Sequence, residues 1–286
     1  MALNPAPTVG ASPTPAAWQH QALGAQLLSA ELSGGRPLLY LSPWAARQPA
    51  VPAVPARGGV PVLFPQFAQL GPGRKHGFAR QQVWQREPVP SAAAKASEED
   101  ADALRYTLAV QPGQCDGWPH AAQLSLETRR VADGLDWQLR LHNCGDSAFE
   151  WSGGLHPYWA VQDAWSLELD GLQACAGVDQ LQSRALPPQA APWRWDDAGM
   201  ECLFDGLPPL TLRTGAHELR LSGTGFTQWM VWNPGRPLAP GLTDLPPGDE
   251  RFFICIEPVC ATRPQRLAPG ETFTGTLSVR WAARGA

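Results

Sequence analysis

Lysine is almost missing from this chain. Lys75 and Lys95 stand against twenty arginines among 286 residues. The bias is of the kind genome base content imposes, and it carries little functional weight. No run approaches 18 apolar residues, so nothing in the sequence reads as a membrane span. Helical periodicity is nearly absent, apart from a turn or two in "SEEDADAL". The six cysteines (115, 144, 175, 202, 255 and 260) form no C-x-x-C pair and show no metal-ligand spacing. In a chain of this length their even number is weak evidence for disulfides, and reduced thiols are expected. The N-terminus, "MALNPAPTVGASPTPAA", lacks the basic start and continuous apolar run of a signal peptide. Residues 1–17 are expected to be a poorly ordered tail on a cytoplasmic protein. A net charge of −4 argues against nucleic acid or an anionic membrane as the main partner. Any anion bound here must be captured locally, by a few placed cations.

What the chain does have is a period of two. "LDWQLRLHN" (135–143) alternates Leu135, Trp137, Leu139 and Leu141 against Asp136, Gln138, Arg140 and His142. "FTGTLSVRW" (273–281) sets Phe273, Leu277, Val279 and Trp281 on one face, and "HELRLSG", "AQLSLETR" and "ALRYTLAV" read the same way. These are half-buried antiparallel strands. Between them lie turn clusters such as "QPGQCDGWP", "NPGRPLAPG" and "LPPGDE". The expectation is an all-β fold, a sandwich or barrel with very little helix, forming a single domain over 18–286. "PSAAAKASEED" reads as a surface excursion between strands.

Four places combine ionisable residues with turn chemistry. "RGGVPVLFPQFAQLGPGRKHGFAR" (57–80) gathers Arg57, Arg74, Lys75, His76 and Arg80 on a segment broken by glycine and proline. "WSGGLHPYWAV" places His156 between Gly-Gly and Pro, beside Tyr158 and Trp159. "ECLFDGLPP" carries Asp205, and in "FFICIEPVCATRP" Glu257 closes an apolar run. Burial at the end of that run would raise the Glu257 carboxyl pKa and make it a better base near neutrality. From pattern alone Glu257 could equally point to solvent where the strand exits. His156 could be a satisfied structural histidine, and the arginines a solvated face.

Taken in order, "RGGVPVLFPQF", "KHGFAR", "WPHAAQLSLETRR", "GLHPYWAV", "VWNPG", "TDLPPGDERFFICIEP" and "LAPGETF" resemble the glucose-6-phosphate 1-epimerases. These are hexose-6-phosphate mutarotases of the galactose mutarotase-like, or aldose 1-epimerase, superfamily. The resemblance runs from about Gly34 to Trp281. It implies a large twisted antiparallel β-sandwich with the sugar in a cleft, a small-molecule sugar phosphate as partner, no cofactor and no metal. It places His156 as general acid and Glu257 as general base. His76 and Asp205 fall on sugar-binding positions, and Arg57 and Arg80 on phosphate-binding positions, with Lys75 adding to the phosphate site. A monomer is the default.

The chain departs from the family pattern in three places, one being its Pro/Ala-rich first 15 or so residues, which have no family counterpart. Gln66 stands where members often have tryptophan, with an expected effect on the pocket wall, and Asp205 precedes Gly-Leu-Pro where an Arg and an aromatic are usual. Three rival readings remain. One is a non-haem iron site built from His76, His156 and Glu257, another is a mutarotase for unphosphorylated aldoses, and the third is a non-enzymatic sugar-phosphate-binding module.

Overall fold

The computed structural model describes residues 18–32, 35–45, 55–89, 103–214 and 217–283. The expected tail over 1–17 and the "PSAAAKASEED" excursion lie outside these residues. Along extended backbone every second side chain shares a face. In the strand Gly134–Asn143, Leu135, Trp137, Leu139 and Leu141 are accordingly buried, while Gln138 and Arg140 are exposed. Thr272–Ala283 and Ala122–Val131 pair antiparallel with its two edges. They belong to an eight-stranded sheet that continues through His217–Thr224, Leu210–Arg213 and Glu168–Asp170 on one side. Ala103–Val110 and Gln85–Glu87 extend it on the other.

A second eight-stranded sheet packs on it. Its order is Arg184–Leu186, Gly177–Asp179, Met200–Asp205, Gln228–Asn233, Phe253–Leu267, Phe149–Leu155 and Val62–Leu63, with Tyr158–Ala160 also pairing Phe253–Leu267. Trp137, Leu139, Leu277 and Val279 of the first sheet share one core with Trp151, Trp159, Trp229, Phe204, Ile254 and Ile256 of the second. This is the antiparallel β-sandwich the alternation implies. The one α-helix among the described residues is Gly235–Leu238, and among these residues no helix is long and apolar enough to cross a membrane.

The second sheet is covered on its outer face as well, and this is what builds the site. Along Phe253–Leu267, Ile254, Ile256 and Cys260 point into the sandwich core. The alternate residues point outward. Phe253 and Cys255 join a cluster with Tyr40, Tyr158 and Leu245, and Val259 and Ala261 join another with Leu63, Phe67, Leu203 and Met230. Glu257 falls in the gap between these two outer clusters. The strand does not end at "FFICI", as the sequence reading allowed, but runs on through Pro258 to Leu267. Glu257 is therefore mid-strand and 1% exposed, and does not point to solvent.

Candidate active site

His156 owes its position to register. Gly154 pairs with Val259 and Tyr158 pairs with Cys255, on the same antiparallel line. Two residues inward from each pair, His156 stands directly opposite Glu257. Opposed side chains on one face of a ladder meet, and His156 Nε2 lies 3.4 Å from Glu257 Oε1. Pro157 interrupts pairing between the strands Phe149–Leu155 and Tyr158–Ala160 without losing the register. The imidazole stacks on the Tyr158 ring at 4.8 Å and 9°, and meets Trp232 edge-on at 5.9 Å. His156 Nδ1 and Glu257 Oε2 are buried without a hydrogen-bond partner.

The segment 57–80 is stitched against this dyad by backbone bonds. His156 N donates to Pro61 O at 2.9 Å and Tyr158 N to Gly59 O at 2.9 Å. Its glycines are needed where the chain passes close to other backbone. Gly77 has φ +69, and a Cβ there would lie 2.0 Å from Phe64 O. Gln66 holds the excursion that follows. Its Oε1 accepts from Gly73 N at 2.7 Å, and its Nε2 donates to Gly73 O at 3.1 Å and Ala68 O at 3.2 Å. Gln66 thus faces the inside of its own loop. It does not line the cleft beside the dyad, so its effect on the pocket wall is indirect. Ala68 N donates to His76 Nδ1 at 3.2 Å. A backbone donor there makes Nδ1 the acceptor, so in the neutral ring Nε2 carries the hydrogen.

A cleft of about 160 Å³ opens over the dyad. Arg57, Lys75, His76, Arg80, His156 and Glu257 all line it, so six of the seven expected site residues come together. Their environments differ. Arg57 donates to Asp244 at 2.6 Å and to the Tyr158 hydroxyl at 3.3 Å. Arg80 donates to Lys75 O at 3.0 Å, and its Nε is buried and unpartnered. Arg74 turns away from the cleft and is paired with Asp116 and Gln81.

Asp205 is the exception. It lies two same-face positions farther along Met200–Asp205 from the strand's start, roughly 13 Å beyond Glu201. Its carboxylate accepts from Arg263 at 2.6 Å and from Gln228 at 2.9 Å. The carboxylate on this strand that lines the cleft is Glu201. Asp244 is a second acidic lining residue that the sequence reading did not single out. Glu201 was findable, because it begins the alternating row Glu201, Leu203, Asp205 in which only one end can face a site. Asp244 sits in an irregular turn and carries no such signal.

Burial dominates the electrostatics. It pushes the Glu257 carboxyl well above the usual carboxylate range, with Glu201 adding to the effect. It holds His156 well below an ordinary imidazole, with Arg80 and Arg57 pushing the same way. His76 is lowered by burial and then by His156. Both members of the dyad are thus driven toward their neutral forms, and together they hold one proton. The iron set of His76, His156 and Glu257 does not assemble. The donors that gather within 4.8 Å of one another are His156, Cys255 and Glu257, without His76.

The structure is thus an antiparallel β-sandwich with a buried histidine–carboxylate pair at the floor of a polar cleft. The chain belongs to the aldose 1-epimerase family, matching the family described as "Aldose 1-epimerase" over residues 19–280, and is an isomerase of that type. It is 26% identical over 274 residues to a Cenchrus ciliaris protein named "Putative glucose-6-phosphate 1-epimerase", with 90% of this chain and 78% of that one covered. An Escherichia coli K12 protein of the same name is 29% identical over 278 residues, covering 91% and 85%. A crystal structure from Salmonella typhimurium, described as a "putative mutarotase", superposes with TM-score 0.78 at 25% identity. The match covers 93% of this chain and 87% of that one.

Proposed function

We propose that this protein interconverts the α and β anomers of a hexose 6-phosphate, glucose 6-phosphate foremost, with Glu257 as base and His156 as acid. The observation that carries this reading is the 3.4 Å His156–Glu257 pair in a cleft also lined by Arg57, Lys75 and Arg80. The relatives' names agree with it.

Glu257 takes the proton from the C1 hydroxyl while His156 delivers one to the ring oxygen. The C1–O5 bond breaks, the C1–C2 bond of the aldehyde rotates, and reclosure forms the other anomer. The reverse transfers restore both residues, so nothing is consumed. Each such transfer typically contributes ~10²–10⁴-fold. The His76 Nε2 hydrogen is available to a sugar oxygen, and Glu201 can accept from sugar hydroxyls. Arginine's planar fork suits the phosphate oxygens. Because the phosphate is far from C1, it orients the sugar with binding energy drawn from outside the reacting centre.

Exchange NMR on equilibrated glucose 6-phosphate, with and without protein, tests the reading. Wild type accelerates anomer exchange, and Glu257→Gln and His156→Asn each lower it by at least ~10²-fold with the fold intact. A Glu257→Gln protein with near-normal exchange removes that residue from the mechanism. The same variant is expected to melt at a higher temperature, because a neutral amide relieves a buried acid of its desolvation cost.

A further inference from the structure

Cys255 takes no part in the proton transfers, yet it sits on the same outward face of Phe253–Leu267 as Glu257, one alternation away. Its thiol sulfur, His156 nitrogen and a Glu257 oxygen all lie within 4.8 Å of one another, and all three residues are buried. We propose that His156, Cys255 and Glu257 form a site for a thiophilic divalent cation, zinc, and that its occupancy switches the enzyme off. The binding part rests on this geometry alone. The switching part rests on the acid/base reading of His156 and Glu257.

Imidazole, carboxylate and thiolate are the three donor types that tetrahedral zinc takes. Nitrogen and oxygen ligands about 2.0–2.1 Å from one zinc are separated by about 3.3–3.4 Å in a tetrahedron. His156 Nε2 and Glu257 Oε1 already stand at 3.4 Å. With a zinc–sulfur bond of about 2.3 Å, the thiolate belongs about 3.5–3.6 Å from each of them. A sulfur within 4.8 Å of a His156 nitrogen and a Glu257 oxygen needs to close on that pair by about 1.3 Å at most. Glu257 Oε2, buried and unpartnered, is a second oxygen the cation could satisfy.

Entry is by the cleft, which His156 and Glu257 line, while Cys255 is buried beside them in the cluster with Tyr40, Tyr158 and Leu245. The cleft does not repel a cation outright, because Glu201 and Asp244 offset part of the charge of Arg57, Lys75 and Arg80. Binding releases two protons to solvent, the Cys255 thiol proton as the Zn–S bond forms and the one held by His156 and Glu257 as both become ligands. The lone pairs on His156 and Glu257 then hold the metal and are closed to protons. Thiolate and imidazole donors select zinc over magnesium or calcium.

Cobalt, a spectroscopic substitute for zinc, tests the proposal on the full chain freed of metal by a chelator that is then removed. One equivalent is expected to give a thiolate-to-cobalt charge-transfer band in the near ultraviolet, which zinc displaces. Cys255→Ala and Cys255→Ser should both lose the band and weaken zinc binding by at least ~10–100-fold, the cost of losing even a supporting residue. Cys144→Ser, which removes the exposed thiol, should keep the band. Zinc should abolish wild-type anomer exchange with the same stoichiometry, and a chelator should restore it. Either Cys255 variant should retain its metal-free turnover and resist zinc. A band absent from wild type, or surviving both Cys255 variants, overturns the site. Zinc bound there without loss of turnover overturns the switch. If metal-free wild type catalyses no exchange, the acid/base reading fails while the cobalt result still decides the site.

Discussion

The Arg57 guanidinium donates to the Asp244 carboxylate at 2.6 Å, so one of the three cations in the cleft is already partnered. Among the described residues Arg80 has no acidic partner within bonding distance, only Lys75 O. Of the two arginines, Arg80 therefore has the greater unsatisfied demand for an anion. Charge-assisted contacts of this kind are worth roughly 1.5–3 kcal/mol. Arg80→Ala is expected to lower kcat/KM for glucose 6-phosphate by about one to two powers of ten, and to affect free glucose much less. The decisive quantity is the ratio of the two substrates' kcat/KM in wild type and variant. An unmoved ratio reduces these cations to a solvated face and returns the substrate to neutral aldoses.

The same cations oppose protonation of His156, where Arg80 and Arg57 follow burial as the main causes of its low proton affinity. A phosphate dianion in the cleft offsets them and favours the imidazolium that must protonate the ring oxygen. Inorganic phosphite, added with unphosphorylated glucose, is therefore expected to raise turnover of the glucose several-fold. Simple competition, or no effect at any concentration, refutes this coupling of substrate choice to acid strength.

On the proposed acid/base reading the dyad works only with one proton on it, which fixes the sign of the pH dependence. Burial and then Glu201 raise Glu257, while burial and then the arginines lower His156. Arg57, Lys75, Arg80, His76, Glu201, Asp244, Tyr158 and Cys255 are the other ionisable groups facing the pair or beside it. On the acid side a second proton arrives at a depressed imidazole, so activity should hold until the pH is below the ordinary histidine value of 6.5. On the alkaline side the last proton leaves a pair whose carboxyl is raised above its ordinary 4.5. The profile of kcat/KM, measured with chelator present, is expected to be a bell whose two limbs belong to the pair. A rate that rises once through 4.5 and then stays flat contradicts it.

Much of this was legible in the sequence because it depends on strict alternation. Leu135 to Leu141 and Phe273 to Trp281 identified their own faces, and the apolar row around Glu257 marked a buried carboxylate. Less accessible was anything set by a partner distant in sequence. Glu201 and Asp205 share a strand face, and only the Arg263 and Gln228 contacts show which of them is already engaged. Asp244 reaches the cleft from a turn whose path is fixed by Ser42, whose hydroxyl donates to Asp244 O at 2.7 Å. Gln66 read as a wall residue because the fold that turns its amide into its own loop is not a local pattern.

That amide makes a further expectation. Gln66→Leu removes three hydrogen bonds from the loop that presents Lys75 and His76. A displacement of about 1 Å in a positioning element can cost ~10²-fold. Turnover of glucose 6-phosphate is expected to fall by about 10–100-fold while far-UV circular dichroism stays unchanged. Full activity in Gln66→Leu shows that other contacts hold the loop.

The opposition of His156 and Glu257 across one ladder makes the chemistry a matter of parity. Adding or removing one residue between Gly154 and Tyr158 would turn the imidazole to the other face of the sheet, because side chains alternate with a period of two. An even-numbered change could restore its direction. Arg57, Lys75 and Arg80 have no such arithmetic, since they arrive outside the long strands on connections that tolerate changes in length. Evolution or design can therefore replace the cations of the cleft while the His156–Glu257 pair is inherited intact with the sheet.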